Sequence, residues 1–137
     1  MTQLNEIAGN HTARIILPVP MAAAGTDDEY PGFTVPFDAV ITAVKWVPLA
    51  AVTANGTNFS ILSIRNRGGA AAGTALPASR SYAATNSAAF VPEAMTLSAT
   101  AADLLVTAGD VITAQRIHTA SGVVIPAGVL EVSYKAR

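Results

Sequence analysis

The clearest signal of fold class is the stretch GVLEVSYK at residues 128–135. Its apolar side chains Leu130, Val132 and Tyr134 alternate with the polar side chains Glu131, Ser133 and Lys135. Successive side chains of a β-strand point to opposite faces of the sheet, so one face of this strand is apolar and the other is polar. The stretch therefore predicts an antiparallel strand with one buried face.

A second stretch, AVITAVKWVP at residues 39–48, is apolar on both faces. The same alternation places Val40, Thr42, Val44 and Trp46 on one face and Ile41, Ala43, Lys45 and Val47 on the other. We expect a central strand covered by the opposite sheet on one side and by a neighbouring subunit on the other. Residues 57–67 show the same pattern, since Phe59 and Ile61 oppose Leu62 and Ile64. The predicted subunit interface consists of Ile41, Lys45, Val47, Phe59 and Ile61.

Short β-branched runs recur along the rest of the chain between Gly, Pro, Asn and Asp residues, and helical periodicity is nearly absent. The predicted strands are 12–19, 32–36, 39–48, 57–67, 79–84, 89–91, 94–99, 103–106, 110–118 and 128–135. The alanine-rich segments 22–25 and 70–73 sit beside glycine and predict compact loops. We expect an all-β, single-domain antiparallel β-sandwich over residues 13–137, built as a jelly roll, with an extended N-terminal arm at residues 1–12.

The composition is unusual in its low charge. Only 12% of the 137 residues are charged, against about 25% in an ordinary soluble domain, and the net charge is −1. Other subunits covering part of the surface would explain this, which favours a homo-oligomer; Ser, Thr and Asn side chains solvating a monomer are the alternative. The chain has no cysteine, which excludes disulfides and thiolate chemistry. The first residues lack the pattern of a secretory signal, and no apolar run predicts a membrane span.

Candidate catalytic and cofactor-binding groups are sparse. The two histidines, His11 and His118, are far apart in sequence and accompany no motif for a metal, a phosphate or a nucleophilic serine. An isoelectric point near 6.0 with only eight aromatic residues is untypical of a nucleic-acid-binding protein. We therefore expect no enzymatic activity, no cofactor, no metal and no nucleic-acid partner.

The densest charge cluster is the acidic run Asp27-Asp28-Glu29. It lacks the alternating spacing of a calcium loop, so a solvated loop is the favoured interpretation, with docking on a basic partner as the alternative. The adjoining segment from Tyr30 to Phe33 is the one loop with exposed aromatic residues that would suit a glycan.

Four segments resemble small β-sandwich proteins of tailed-phage virions, over residues 33–135. They are VPFDAVITAV at 35–44, IRNRG at 64–68, TAGDVIT at 107–113 and PAGVLEVSY at 126–134. Capsid decoration (cement) proteins share this style. The resemblance implies a homotrimer, made in the host cytoplasm, that sits on the capsid exterior and binds the major capsid protein. It also implies capsid contacts by the N-terminal arm, through Leu4, Glu6, Ile7 and His11. A carbohydrate-binding adhesin or a tail- or head-fibre module is the alternative.

Overall fold

A computed structural model describes residues 8–137. Ten strands cover about half of this range, and a 3₁₀ turn lies at Ala101–Leu104. The strands are β1 (His11–Leu17), β2 (Asp28–Thr34), β3 (Ala39–Pro48), β4 (Phe59–Asn66), β5 (Ala75–Ser81), β6 (Glu93–Ala94), β7 (Thr96–Leu97), β8 (Leu105–Val106), β9 (Val111–Thr119) and β10 (Gly128–Ala136).

The strands form two antiparallel sheets. The first sheet has the order β1-β10-β3-β6, with β8 also paired to β3, and the second has the order β2-β9-β4-β5-β7. Buried side chains from both sheets, among them Trp46, Leu62, Ile112 and Leu130, form one core cluster. The prediction of a single-domain antiparallel β-sandwich is confirmed.

Strand β3 contains a bulge that changes which residues face the core. Tyr134 of β10 pairs with Ile41, whereas Ser133 pairs with Ala43, so Thr42 is an extra residue in β3. A bulge shifts the alternation by one residue. Ile41 therefore faces inward and is 2% exposed, and its predicted place in a subunit interface is wrong.

Strands β1 and β2 approach each other closely at Gly32. The register between β2 and β9 shifts between Pro31 and Phe33, which leaves Gly32 in a bulge. A Cβ atom on Gly32 would lie 2.6 Å from Ile15 Cδ1 and 2.8 Å from the Ile112 carbonyl oxygen. Only glycine fits here without displacing a neighbour, so this residue allows the two sheets to close along this side.

Two other sequence predictions can be compared with the structure. The alanine-rich segments are loops, as predicted, and Ala24 and Ala71 adopt the left-handed conformation with φ of 56° and 63°. The predicted strand 89–91 is wrong, because these residues lie in the connection between β5 and β6.

Candidate interaction surfaces

The acidic run is a solvated loop only at Asp27, which is exposed and precedes β2. Asp28 and Glu29 belong to β2, and each of the three acids is engaged by a basic side chain across the sheet. Tyr30 and Phe33 also lie in β2 and pack against the core. From Asp28 to Phe33 the predicted docking or glycan loop is therefore a strand of the sandwich, and the prediction of an open loop is wrong for these residues.

Arg116 of β9 is the most buried charged side chain among the described residues, with 0% exposure. Its Nε and Nη2 atoms donate to the two carboxylate oxygens of Asp28 at 2.8 and 2.7 Å. Its Nη1 atom donates to the carbonyl oxygens of Val19 at 2.9 Å and Ile125 at 3.3 Å, and the guanidinium lies 5.5 Å from the centre of the Tyr30 ring. Arg116 thus joins β2 to the two loops at this end of the sandwich.

Glu29 collects basic groups on the outer face of the second sheet. Arg67 donates to both of its carboxylate oxygens at 2.6 and 2.7 Å, Thr113 donates a third hydrogen bond at 2.8 Å, and Arg65 lies 3.8 Å away. The hydrogen bonds from Arg67 lower the pKa of Glu29 below its usual value of 4.5, against the opposing effect of burial. The two basic side chains at the end of β4, Arg65 and Arg67, are thereby paired within the chain.

His118, near the end of β9, lies between two loops. Its Nδ1 atom is 2.8 Å from Asp27 Oδ1 and its Nε2 atom is 2.7 Å from the Ala22 carbonyl oxygen. The backbone N–H of His118 also donates to Asp27 Oδ1 at 2.8 Å. These contacts attach the β1–β2 loop to β9.

A chain of polar side chains crosses the other side of the sandwich. Trp46 Nε1 donates to the Tyr82 hydroxyl at 3.0 Å; the Tyr82 hydroxyl lies 2.9 Å from Ser87 Oγ, which donates to Glu93 at 2.9 Å. Because an indole N–H only donates, the Tyr82 hydroxyl accepts a hydrogen bond from Trp46 and donates one to Ser87. Arg80 completes the chain through an ion pair with Glu93. The buried groups are satisfied internally, which suits a structural role.

The remaining predicted interface residues lie on opposite faces of the sandwich. Lys45 and Val47 are on the outer face of the first sheet. Phe59 and Ile61 are on the outer face of the second sheet, because they alternate along β4 with Ser60 and Leu62, which are buried. Two rows of side chains cross strands β1, β10 and β3 on the first of these faces. They are an apolar row of Ile16, Val129 and Val47 and a charged row of Arg14, Glu131 and Lys45.

Two more exposed apolar side chains, Leu49 and Phe90, lie near the end of β3 that carries Val47. We call Ile16, Val47, Leu49, Phe90 and Val129 the end patch. Phe90, Ile16 and Leu49 are 69%, 66% and 56% exposed. Phe90 is held beside β3 because its backbone N–H donates to the Pro48 carbonyl oxygen at 2.8 Å, and it has a left-handed φ of 61°.

Sequence reasoning missed Phe90 and Leu49. The sequence prediction places residues 89–91 in a strand, and Leu49 lies just beyond the predicted strand 39–48. The signal that could have found Phe90 was the Val91-Pro92 pair. A proline restricts the conformation of the residue that precedes it and cannot donate to a strand ladder, so it argues against a regular strand at residues 89–91.

The predicted N-terminal arm is only partly within the described residues. Leu4, Glu6 and Ile7 lie outside them. His11 is the first residue of β1, and its ring stacks on Tyr134 at 5.6 Å and meets the edge of Phe37 at 5.1 Å. His11 is therefore part of the sandwich, and the predicted arm at residues 1–12 overlaps the first residues of β1.

Comparisons of the chain with protein-family models, with curated proteins and with solved structures find no match. Within residues 8–137, no group of three or more acidic or histidine side chains is placed to hold a metal ion, and no pocket is found. The same residues include no helix long and apolar enough to cross a membrane. An assignment of function therefore depends on the surfaces of this chain itself.

Proposed function

We propose that this protein is a structural virion component, a bacteriophage capsid decoration protein that assembles as a homotrimer and binds the major capsid protein. The observation that carries the proposal is the end patch, in which three large apolar side chains are more than half exposed. Contiguous exposed apolar surface marks sites of association with other proteins. The low charge of the chain supports the same function.

The topology also supports the proposal. In both sheets, strands distant in sequence are neighbours, as in β1-β10-β3 and β2-β9-β4. We take this order as that of a jelly roll built from two Greek keys, a fold that is common in viral capsid proteins. Fold alone assigns no function, so the end patch remains the principal argument.

The conformation of Phe90 adds an energetic argument. A bulky residue with positive φ is rare, and such backbone strain costs on the order of 1–3 kcal/mol. In the chain alone this strain holds an aromatic ring in water, with no compensating burial. A contact that covers the ring on association would recover roughly 1.5–3 kcal/mol, which offsets the cost.

The position of the end patch is compatible with a closed ring. Contacts through the two opposite outer faces would repeat as an open stack of subunits. A cyclic trimer requires two different surfaces that meet at an angle. The end patch extends from the outer face of the first sheet to the end of the sandwich, so a face and an end are available together.

The proposal is tested by the mass of the purified protein in solution, measured by light scattering at micromolar concentration. We expect a trimer for the unmodified chain and a shift to monomer for Phe90→Ser. Ile117→Ser is the matched control, because Ile117 is an exposed apolar residue on the second sheet, and it should remain trimeric. A strict monomer that also fails to bind emptied or expanded phage shells would refute the proposal.

A carbohydrate-binding adhesin or fibre module is the second candidate, and one observation favours it. An exposed aromatic ring is a natural platform for a sugar face, and Phe90 provides one. Tyr30 does not, because it packs against the core beneath Arg116. Saturable glycan binding that is lost in Phe90→Ser, by a chain that is monomeric, would favour this function.

A further inference from the structure

Both ring nitrogens of His118 face hydrogen-bond acceptors. Nε2 is 2.7 Å from the Ala22 carbonyl oxygen, which cannot donate. Nδ1 is 2.8 Å from Asp27 Oδ1, and that oxygen already accepts the His118 backbone N–H. A neutral imidazole carries a single N–H and can satisfy one of these acceptors. The imidazolium satisfies both.

We propose that the protonated ring of His118 is a pH-dependent latch that holds the β1–β2 loop, residues 22–27, against β9. Loss of the proton turns one contact into two acceptors that face each other at less than 3 Å, whichever nitrogen keeps its hydrogen. The loop segment attached by that contact then separates from the ring. This inference concerns a conformational device and does not depend on the proposed function.

The surroundings of the ring favour the charged form. From the β1–β2 connection and the start of β2, Asp27 and Asp28 supply negative charge; from β9, Arg116 is already paired with Asp28. The β9–β10 loop packs against the ring at Gly122, where a Cβ would lie 3.0 Å from His118 Cγ, and residues 120–127 contain no titratable side chain. The paired strand β4 contributes Ser60, which does not titrate in this range.

The pKa values of both partners shift in the direction that this geometry requires. The hydrogen bond to the Ala22 carbonyl, followed by the bond to Asp27, raises the pKa of His118 above 6.5, although burial opposes this. The backbone and ring hydrogen bonds of His118 lower the pKa of Asp27 below 3.8. Because the pKa of His118 is raised, its ring stabilises the folded protein fully below pH 6.5. This stabilisation is lost as the pH rises through the pKa that His118 has in the folded protein.

The latch would release only part of the loop. Met21 exchanges two backbone hydrogen bonds with Ile125, at 2.8 and 3.1 Å, and Arg116 holds the Val19 carbonyl. Neither attachment depends on His118. The segment before residue 22 therefore stays in place. The segment from 22 to 27 has one further attachment, the hydrogen bond from the Ala24 N–H to the Ser121 carbonyl oxygen, which breaks when the segment opens.

The test follows the ring and the loop separately in the full chain by NMR. The ¹⁵N shifts of the His118 ring report its protonation, and the exchange protection of the Ala24 and His118 amides, corrected for the intrinsic rate, reports the loop. We expect the ring to titrate above pH 6.5 and the protection of both amides to fall with the same midpoint. Protection at Met21 should not change with it.

Two variants separate the latch from ordinary packing. Asp27→Asn should shift the His118 titration to lower pH, because the negative partner is lost while an acceptor for the backbone N–H remains. His118→Gln should remove the pH dependence of loop protection, whereas His11→Gln, which changes the other histidine, should preserve it. A His118 ring that titrates at or below pH 6.5, or loop protection that is constant through its titration, would overturn the proposal.

Discussion

Replacement of Arg116 by methionine should destabilise the sandwich more than any removal of a surface charge. The guanidinium is fully buried. It donates two hydrogen bonds to Asp28, one of 2.9 Å to the Val19 carbonyl oxygen and a longer one of 3.3 Å to the Ile125 carbonyl oxygen. Arg116→Met keeps much of the side-chain volume and removes the charge and all of the donors.

The size of the effect follows from the exposure of each partner. Removal of one partner from a fully buried ion pair costs about 3–5 kcal/mol. The lower end applies here because the Asp28 side chain is 28% exposed and retains some hydration. The lost donor to the Val19 carbonyl adds about 1 kcal/mol, and the apolar methionine side chain recovers a similar amount. We expect a net loss of about 3 kcal/mol, which is a large part of the roughly 5–15 kcal/mol that stabilises a typical domain.

Urea unfolding followed by the fluorescence of Trp46 measures this loss. With a slope near 2 kcal/mol/M, the midpoint should fall by about 1.5 M. Arg14→Met is the control, since Arg14 is 69% exposed on its side chain and 3.7 Å from Glu131, and such pairs contribute about 0–1 kcal/mol. If the two variants lose the same small amount, the buried pair is not an anchor of this fold. Adding Asp28→Asn to Arg116→Met should restore part of the loss by removing the unpaired charge.

Three further substitutions test other parts of the structure. Gly32→Ala should lower the unfolding free energy by at least about 2 kcal/mol, within the range of overpacking costs. Gly69→Ala is the control, because no atom lies nearer than 3.9 Å to the added Cβ, and it should change the unfolding free energy by less than about 0.5 kcal/mol. Equal losses in urea unfolding would contradict the close approach of β1 to Gly32. Tyr82→Phe should cost about 1–3 kcal/mol, because it leaves the buried Trp46 N–H without its acceptor, and a thermal midpoint equal to that of the unmodified chain would refute this. Glu29→Gln should make the unfolding free energy less sensitive to acid. Because the pKa of Glu29 is lowered, its carboxylate stabilises the fold above pH 4.5, and this contribution is lost as the pH falls through the lower pKa of the folded protein. An unchanged profile of unfolding free energy against pH would show that the carboxylate contributes nothing.

Local sequence patterns predicted the positions of the longer strands. Strand β10 was recovered almost to its ends, and β4 and β9 within two residues, because alternation between a core face and an outer face is a property of consecutive residues. The same reasoning failed at Thr42. A bulge depends on how β3 pairs with β10, and a single strand does not show where its partner lacks a residue.

The candidate surfaces depended still more on contacts between distant residues. The run Asp27-Asp28-Glu29 has the composition of a solvated loop, and its pairing with cations is invisible locally because Asp28 and Arg116 are 88 residues apart. The exposure of Phe90 likewise follows from its attachment to Pro48 and a left-handed φ.

The order of the residues alone was sufficient for the all-β class, the single sandwich and the low surface charge, since composition and a two-residue period are local quantities. Packing of the two sheets was needed to turn Ile41 inward, to pair the acidic run and to leave the end patch uncovered. Each of these depends on the free energy of contacts across the sheets, which exists only once distant strands have met.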